Sequence, residues 1–355
     1  MAGMEKKRIN VLIVEDSLTA QSLLKGILSS DPGFRVLGVV ANGKQAVEAV
    51  ARLKPDVVSM DIYMPEMDGL EATRRIMERT PVPIVIVSSY YQASDMALSF
   101  SILKAGALTI LPRPLGPMHP DYLQSSRSYL NTLKMMAGIK VTNQRSKQVP
   151  RPSIIRSEPI KTAVNNYDCT KKRAIVAIGA SAGGPMALQT ILSQIPNDFS
   201  LPILIVQHID ANFAAGFCSW LNSSSGVPVK IASHGEKLLP GHAYLPPGDA
   251  HLGLIEEGII GVSYDPPESN LRPSVNYLFR SVRRVYGGKS IAILLSGMGT
   301  DGAKELKQLK DVGALTIAQD ELSSLVHGMP GEAILLEAVC LVSSLDEIVS
   351  QIIKN

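Results

Sequence analysis

Over the first 137 residues, short apolar runs alternate with stretches that are apolar at every third or fourth position. The runs are INVLIV, RVLGVV, DVVSM, PIVIVS and LTILP, and between them LTAQSLLKGILSS and KQAVEAVARLK keep the helical period. Five such β/α units predict a doubly wound, flavodoxin-like parallel sheet, whose ligands bind at the carboxyl ends of the strands. From residue 174 a second α/β pattern starts. Its strands are AIVAIGA, PILIVQH, VPVKIAS, HAYLPP, SIAILLSG and LTIAQ, with a hairpin around HLGLIEEGIIGVSY and helices after Gly184, Ala211, Ser274 and Gly302. This predicts a mainly parallel sheet with an antiparallel insertion between about 228 and 265.

The stretch between the two patterns has no such periodicity. Residues 138–173 hold nine Lys or Arg against Glu158 and Asp168, a net of +7 in a chain of net +3, which leaves −4 for the rest. The segment reads as a solvated basic tether, with contact to acidic partners as the other use of such charge. The expected division is 1–137, 138–173 and 174–355. The small total charge gives no bulk reason to bind nucleic acid or a membrane surface. The second unit shows neither a helix-turn-helix pattern nor a basic helix, which argues against a DNA-binding output. No run of about 18 apolar residues predicts membrane insertion, and MAGMEKKRINVLIVED lacks the pattern of a signal peptide. Cys169, Cys218 and Cys340 offer neither a disulfide framework nor a zinc spacing, as expected of a cytoplasmic protein.

Two constellations carry chemistry. In the first unit, Glu15 and Asp16 end the first strand and Asp61 ends the third, so three carboxylates converge. Oxygen ligands of this kind suit Mg²⁺. Ser88 ends the fourth strand and Arg113 follows the fifth, where a hydroxyl and a cation can hold phosphoryl oxygens. On VLIVEDS, DIYMPEMDGLEA, VSS and AGA…LPRP, residues 8 to about 130 resemble the receiver domain of bacterial two-component response regulators. The resemblance implies Asp61 as the phosphoryl acceptor and Glu15 and Asp16 as magnesium-site acids. It further implies the Tyr63 carbonyl as another ligand, Ser88 as the switch hydroxyl and a CheA-type histidine kinase as phosphodonor. One position departs: the family has lysine before the proline after the fifth strand, and here Arg113 precedes Pro114. Arginine and lysine are not interchangeable at a phosphate.

In the second unit, IVAIGASAGGPMAL contains Gly-x-Ser-x-Gly at Gly179–Gly183, a pattern that holds a serine on a strand-to-helix bend. The same turn is compatible with a phosphate cradle or a plain tight turn. For a dinucleotide loop, however, Ser181 takes the place of the second glycine, and His208 stands where the ribose-binding acid belongs. A nucleophilic serine needs a base, and the base an orienting acid. His208 ends the next strand, and Asp301 lies in AILLSGMGTDGA beyond a later one, with Asp210 as its rival. His234, His242 and His251 either line a cleft or sit on the surface. Backbone N–H groups after Ser181, at Ala182, and around Gly297-Met298-Gly299 can bind an oxyanion. The order Ser, His, Asp is not that of the α/β-hydrolases.

On IGASAGGP, IVQHI, GHAYLPPGDAHL, LRPSVNYLF and LLSGMGTDGA, residues 174–350 resemble the catalytic domain of the chemotaxis protein-glutamate methylesterases, the CheB family. The resemblance implies Ser181 as nucleophile, His208 as base, Asp301 as orienting acid and the Met298 N–H as an oxyanion donor, with no cofactor for the ester chemistry. The implied substrates are glutamyl methyl esters, and certain glutamines, on the cytoplasmic helices of chemoreceptors. The domain order implies that the unphosphorylated receiver restrains the esterase. QHID departs from the Met-Pro that relatives commonly carry after the histidine. The alternative class is a non-enzymatic signalling partner, acting as a phosphate sink or a receptor-docking module.

Overall fold

The computed structural model describes residues 8–88, 101–139, 141 and 172–354. The predicted tether, apart from its ends, therefore lies outside the described residues. The chain divides into two compact units, residues 1–156 and 157–355.

In the first unit, β1 (Ile9–Val14), β2 (Phe34–Val40), β3 (Val57–Met60), β4 (Ile84–Ser88) and β5 (Thr109–Pro112) form one sheet in the order β2-β1-β3-β4-β5. Every neighbouring pair is parallel. β3 and β4 are buried at every position, which is why their sequences run apolar without alternation. The helices α1 (Leu18–Ser29), α2 (Gly43–Leu53) and α3 (Gly69–Arg79) begin at Ser17, Asn42 and Asp68. Each of these side chains accepts from a backbone N–H of the first turn, the usual N-cap economy of polar groups. A further helix that the periodicity reading did not single out, α4 (Tyr122–Met136), buries Tyr129, whose hydroxyl donates to Ser59 Oγ on β3 at 2.9 Å. The chain leaves β1 for β2 on one side and returns to β3 on the other. The carboxyl ends of β1 and β3 thus flank the crevice where doubly wound sheets bind ligands.

The second unit is built on seven strands in the order β14-β13-β12-β6-β7-β9-β8. They are β6 (Ile175–Ala180), β7 (Ile203–Gln207), β8 (Val229–Ile231), β9 (Ala243–Leu245), β12 (Ser290–Leu294), β13 (Leu315–Gln319) and β14 (Leu341–Ser343), all paired in parallel. An antiparallel hairpin is formed by β10 (His251–Glu256) and β11 (Ile259–Ser263), with isolated antiparallel bridges at Lys237–Ile259 and Glu268–Leu271. β8 and β9, which the sequence reading put inside the antiparallel insertion, instead extend the parallel sheet. The segment between them is long enough for a crossover that restores the chain direction, as parallel neighbours require.

The helices are α5 (Gly184–Gln194), α6 (Ala214–Ser224, entered through a 3₁₀ turn at Ala211–Phe213), α7 (Val275–Val285), α8 (Ala303–Asp311), α9 (Gly328–Leu335) and α10 (Leu345–Lys354). Leu204, Leu278, Phe279, Leu294 and Leu306 belong to the core between sheet and helices. Arg173, counted by sequence in the solvated tether, is 1 % exposed, and its guanidinium donates to the carbonyls of Gly288 and Gly313. It fastens the entry to β6 instead. No described helix is long and apolar enough to cross a membrane.

Candidate active site

β6 lies between β7 and β12, and all three point the same way. Ala180 pairs with Gln207 and Gly179 with Leu294, so the residues that follow these strands emerge along one edge of the sheet. Ser181 is the first residue after β6 and His208 the first after β7. Asp301 sits in the loop from β12 to α8. The switch in strand order at β6 makes this edge the natural crevice of the unit.

The serine turn is fixed from several directions. Ser181 N–H donates to Ser296 O at 3.0 Å, and Ser181 O accepts from Gly184 N–H at 2.8 Å. Gly183 has a φ of +80°, and a Cβ there would stand 2.6 Å from Leu325 Cβ, so the turn needs glycine. The Gln207 side-chain amide donates to Ser181 O at 2.8 Å and to His208 O at 2.9 Å. One buried side chain thereby ties the backbones of both residues together.

Asp301 is 5 % exposed and receives four hydrogen bonds. His208 Nε2 lies 2.9 Å from Oδ2 and donates to it, Val275 N–H donates to Oδ2 at 2.6 Å, and Ser274 Oγ and Asn276 N–H donate to Oδ1 at 2.9 and 3.0 Å. Three of these donors belong to the first turn of α7 and its N-cap, the positive end of a helix. Burial pushes the Asp301 carboxyl up, but the His208 ring and the two backbone N–H groups outweigh it and hold the carboxyl below the ordinary range. With Nε2 engaged by Asp301, Nδ1 is the ring nitrogen left for other work. Among the described residues no hydrogen bond joins Ser181 Oγ to the ring, so that link of the expected triad is not closed in this structure. Asp210, the rival acid, turns away: it caps the 3₁₀ turn through Asn212 N–H at 3.0 Å.

Around the serine, Gly297 N–H donates to Val326 O at 2.9 Å. The N–H groups of Ala182 and Met298 have no acceptor among the described residues. Two free donors beside a serine match the requirement of an oxyanion site.

At the edge of the first unit, Val14 pairs with Met60, so Glu15, Asp16 and Asp61 leave their strands together. Their carboxylate oxygens lie within 4.8 Å of one another. Glu15 and Asp61 are buried and Asp16 is exposed. Glu15 is pushed up to about 7, first by burial and then by the Asp61 charge, with Arg113 pulling the other way. Asp61 is pushed up to about 6 by burial, against Arg113 and the Ile62 N–H. The Arg113 Nη2 bridges Glu15 Oε2 at 2.8 Å and Asp61 Oδ2 at 3.0 Å. Ser88 is buried at the end of β4 and its carbonyl accepts from Arg113 N–H at 2.9 Å. Tyr63 stands two residues past Asp61 and is partly exposed. Converging carboxylates held at a cost in charge, all offering oxygen, fit a hard divalent cation such as Mg²⁺.

The family model for CheB methylesterase matches residues 176–352, and that for the response regulator receiver domain matches residues 11–119. A protein-glutamate methylesterase/protein-glutamine glutaminase of Geobacter metallireducens is 50 % identical over 96 % of this chain and 97 % of its own length. One from Nitrosospira multiformis is 45 % identical over 96 % and 95 %. The chain belongs to the CheB methylesterase family. The crystal structure of the Thermotoga maritima CheB methylesterase catalytic domain covers 52 % of this chain and 98 % of that one, at 35 % identity and a TM-score of 0.50.

Within this chain the structure brings Ser181 and His208, which end neighbouring strands, and Asp301, from the loop after β12, to one edge. Sequence reasoning placed a helix after Ser274 but missed what Gln207, Ser274 and the first turn of that helix do at the site. The one available signal was the serine before the helical period in RPSVNYLF, an N-cap pattern. It also left His251 as a cleft or surface residue, whereas His251 is fully buried.

Gly297 makes a further point about packing. A Cβ there would lie 2.4 Å from Met329 Sδ and 2.8 Å from Ser181 Cβ. The thioether can swing aside, but the serine turn cannot. Gly297→Ala is expected to cost about 1–3 kcal/mol of stability by overpacking, read by denaturant unfolding of the full chain. An unchanged midpoint would show that the loop yields.

Proposed function

We propose that this chain is a phosphorylation-regulated serine hydrolase that removes methyl esters from glutamate side chains of chemoreceptors and deamidates glutamines there. The observation that supports it most is the single edge that holds Ser181 beside His208, with Asp301 bonded to the far nitrogen of the ring at 2.9 Å. In this reading His208 Nδ1 takes the Ser181 Oγ proton as Oγ bonds to the ester carbonyl carbon. The N–H groups of Ala182 and Met298 receive the negative oxygen. The C–O bond to the methoxy group breaks, His208 returns the proton, and methanol leaves. Water repeats the sequence on the acyl-serine, and free glutamate results. With a glutamine the leaving group is ammonia. Asp301 keeps Nε2–H in place and balances the imidazolium.

Asp61 is the proposed phosphoryl acceptor. Glu15, Asp16, Asp61 and the Tyr63 carbonyl would hold Mg²⁺, which when bound neutralises phosphoryl charge. In this reading Arg113 and Ser88 would take phosphoryl oxygens. A histidine kinase of the CheA type is the proposed phosphodonor. The substrate helices are cytoplasmic, and so by this reading is the enzyme. Phosphorylation acts by shifting the chain toward a state with higher esterase activity, which requires the phosphoryl group to be better accommodated in that state.

The test is methyl loss from methylated chemoreceptor in membranes, with and without a small phosphodonor. Wild type is expected to speed up by about 10-fold, within the usual span of allosteric coupling. Asp61→Asn is expected to respond by less than about twofold, since one state alone remains. Equal responses in the two proteins sink the control, and a receptor that keeps its methyl groups sinks the esterase. A non-enzymatic phosphate sink would show no methanol at all.

A further inference from the structure

Three of the four donors to Asp301 come from residues 274–276, so whatever places Ser274 also places the carboxylate. Ser274 is fully buried, and its Oγ has two duties. It donates to Asp301 Oδ1 at 2.9 Å and accepts from Tyr277 N–H at 3.4 Å as the N-cap of α7. Its own N–H, buried as well, requires an acceptor. That acceptor is His251 Nδ1, at 3.2 Å. His251 begins β10, in the hairpin outside the parallel sheet. Its ring is fully buried and lies 4.5 Å from the Tyr277 ring, nearly parallel to it. Its Nε2 faces Pro266 O at 3.3 Å. An N–H donor on one side and a carbonyl on the other fix the ring as the neutral tautomer with its proton on Nε2. The charged groups nearby, Asp249 paired with Arg272 and Asp265 accepting from the Tyr277 hydroxyl, lie on the exposed side of this arrangement.

We propose that His251 is a positioning residue for the hydrolytic site: it holds the Ser274 N–H, and through Ser274 it aims the Asp301 carboxylate at His208. The proposal rests on the triad reading above. The chain His251, Ser274, Asp301, His208 runs from the hairpin to the base, and every link is a hydrogen bond. A phenylalanine at 251 keeps the stack on Tyr277 but leaves the Ser274 N–H without an acceptor. An asparagine presents an oxygen close to where Nδ1 stands.

The experiment uses the full chain and methylated chemoreceptor membranes. His251→Phe is expected to lower kcat by about 30-fold with KM within about twofold, the scale of a small misplacement of a reacting group. His251→Asn is expected to recover all but about threefold of that loss. Ser274→Ala should reproduce the kcat loss of His251→Phe. In an Asp301→Asn background, His251→Phe should change kcat by less than about twofold, because coupled residues are not additive. Proton NMR without substrate supplies an independent reading: the low-field His208–Asp301 resonance should persist in His251→Asn and vanish in His251→Phe.

A wild-type kcat in His251→Phe, an equal loss in the Asp301→Asn background or an unchanged low-field resonance overturns the proposal. If His251→Phe does not fold, Ser274→Ala and His251→Asn decide: full kcat in the first, or a 30-fold loss in the second, overturns it. If wild type itself releases no methanol, the hydrolase reading has failed, and the resonance still tests the positioning role.

Discussion

Asp301→Asn is expected to lower kcat by about four orders of magnitude, the scale seen when a triad acid becomes an amide. The carboxylate accepts two hydrogen bonds on each oxygen: Ser274 Oγ and Asn276 N–H on Oδ1, Val275 N–H and His208 Nε2 on Oδ2. An amide has one oxygen and one NH₂. Whichever way it turns, two donors face a donor. If the NH₂ takes the Oδ2 side, the Val275 N–H loses its acceptor, and His208 can bond only by moving its proton to Nδ1. That puts a proton on the nitrogen that must receive one from Ser181. If the NH₂ takes the other side, the α7 N-cap opens and the Asn276 N–H is stranded. Each stranded buried donor costs about 1–3 kcal/mol, so the variant should also unfold earlier. The acid end of the stability profile should change with it. The Asp301 carboxyl is held below the ordinary aspartate range, so its contribution is present above about pH 4 and is lost as the pH falls through the lower folded value. The variant lacks this contribution at neutral pH and should lose less on acidification. Kinetics on receptor membranes, with urea unfolding at pH 7 and pH 3, checks both parts. A kcat within tenfold of wild type would remove Asp301 from the triad.

The strand ends were legible in the sequence because buried parallel strands are continuous apolar runs, and the first polar residue after each run must emerge at the sheet edge. Glu15, Asp61 and Ser181 were found in this way; His208 was found as the histidine at its strand end, while Gln207, the first polar residue there, was passed over. Asp301 was harder, since it stands beyond its strand on a loop whose path the sequence does not reveal, yet the glycines flanking it marked a turn. The cradle around Asp301 was not legible. Two of its donors are backbone N–H groups, which every residue but proline carries, brought from α7 by the packing of Val275 against Gly179, where a Cβ would stand 2.3 Å from Val275 Cγ1. Nothing in composition announces that meeting. His251 was missed for the same reason: a histidine in GDAHLGLI looks like any other until its two ring nitrogens are seen to be engaged. β8 and β9 were misassigned because a three-residue strand carries too short a pattern to show its direction. Arg113 stood out in the sequence as a departure, but only the structure shows it spanning Glu15 and Asp61.

The central claim is that Ser181 is the nucleophile of an ester hydrolysis. Its side chain is not needed to hold the turn: the hydrogen bonds that fix it run through Ser181 N–H, Ser181 O and the Gln207 amide, all of which alanine retains. Ser181→Ala should therefore fold like wild type while losing the atom that attacks. Loss of a triad serine costs about 10⁶ in kcat, and the residual rate comes from oxyanion binding and substrate placement. The decisive measurement is methanol released from methylated chemoreceptor by wild type and by Ser181→Ala at matched folded concentration. The account predicts steady release from the first and none above background from the second. Release by Ser181→Ala at a rate comparable to wild type would contradict it.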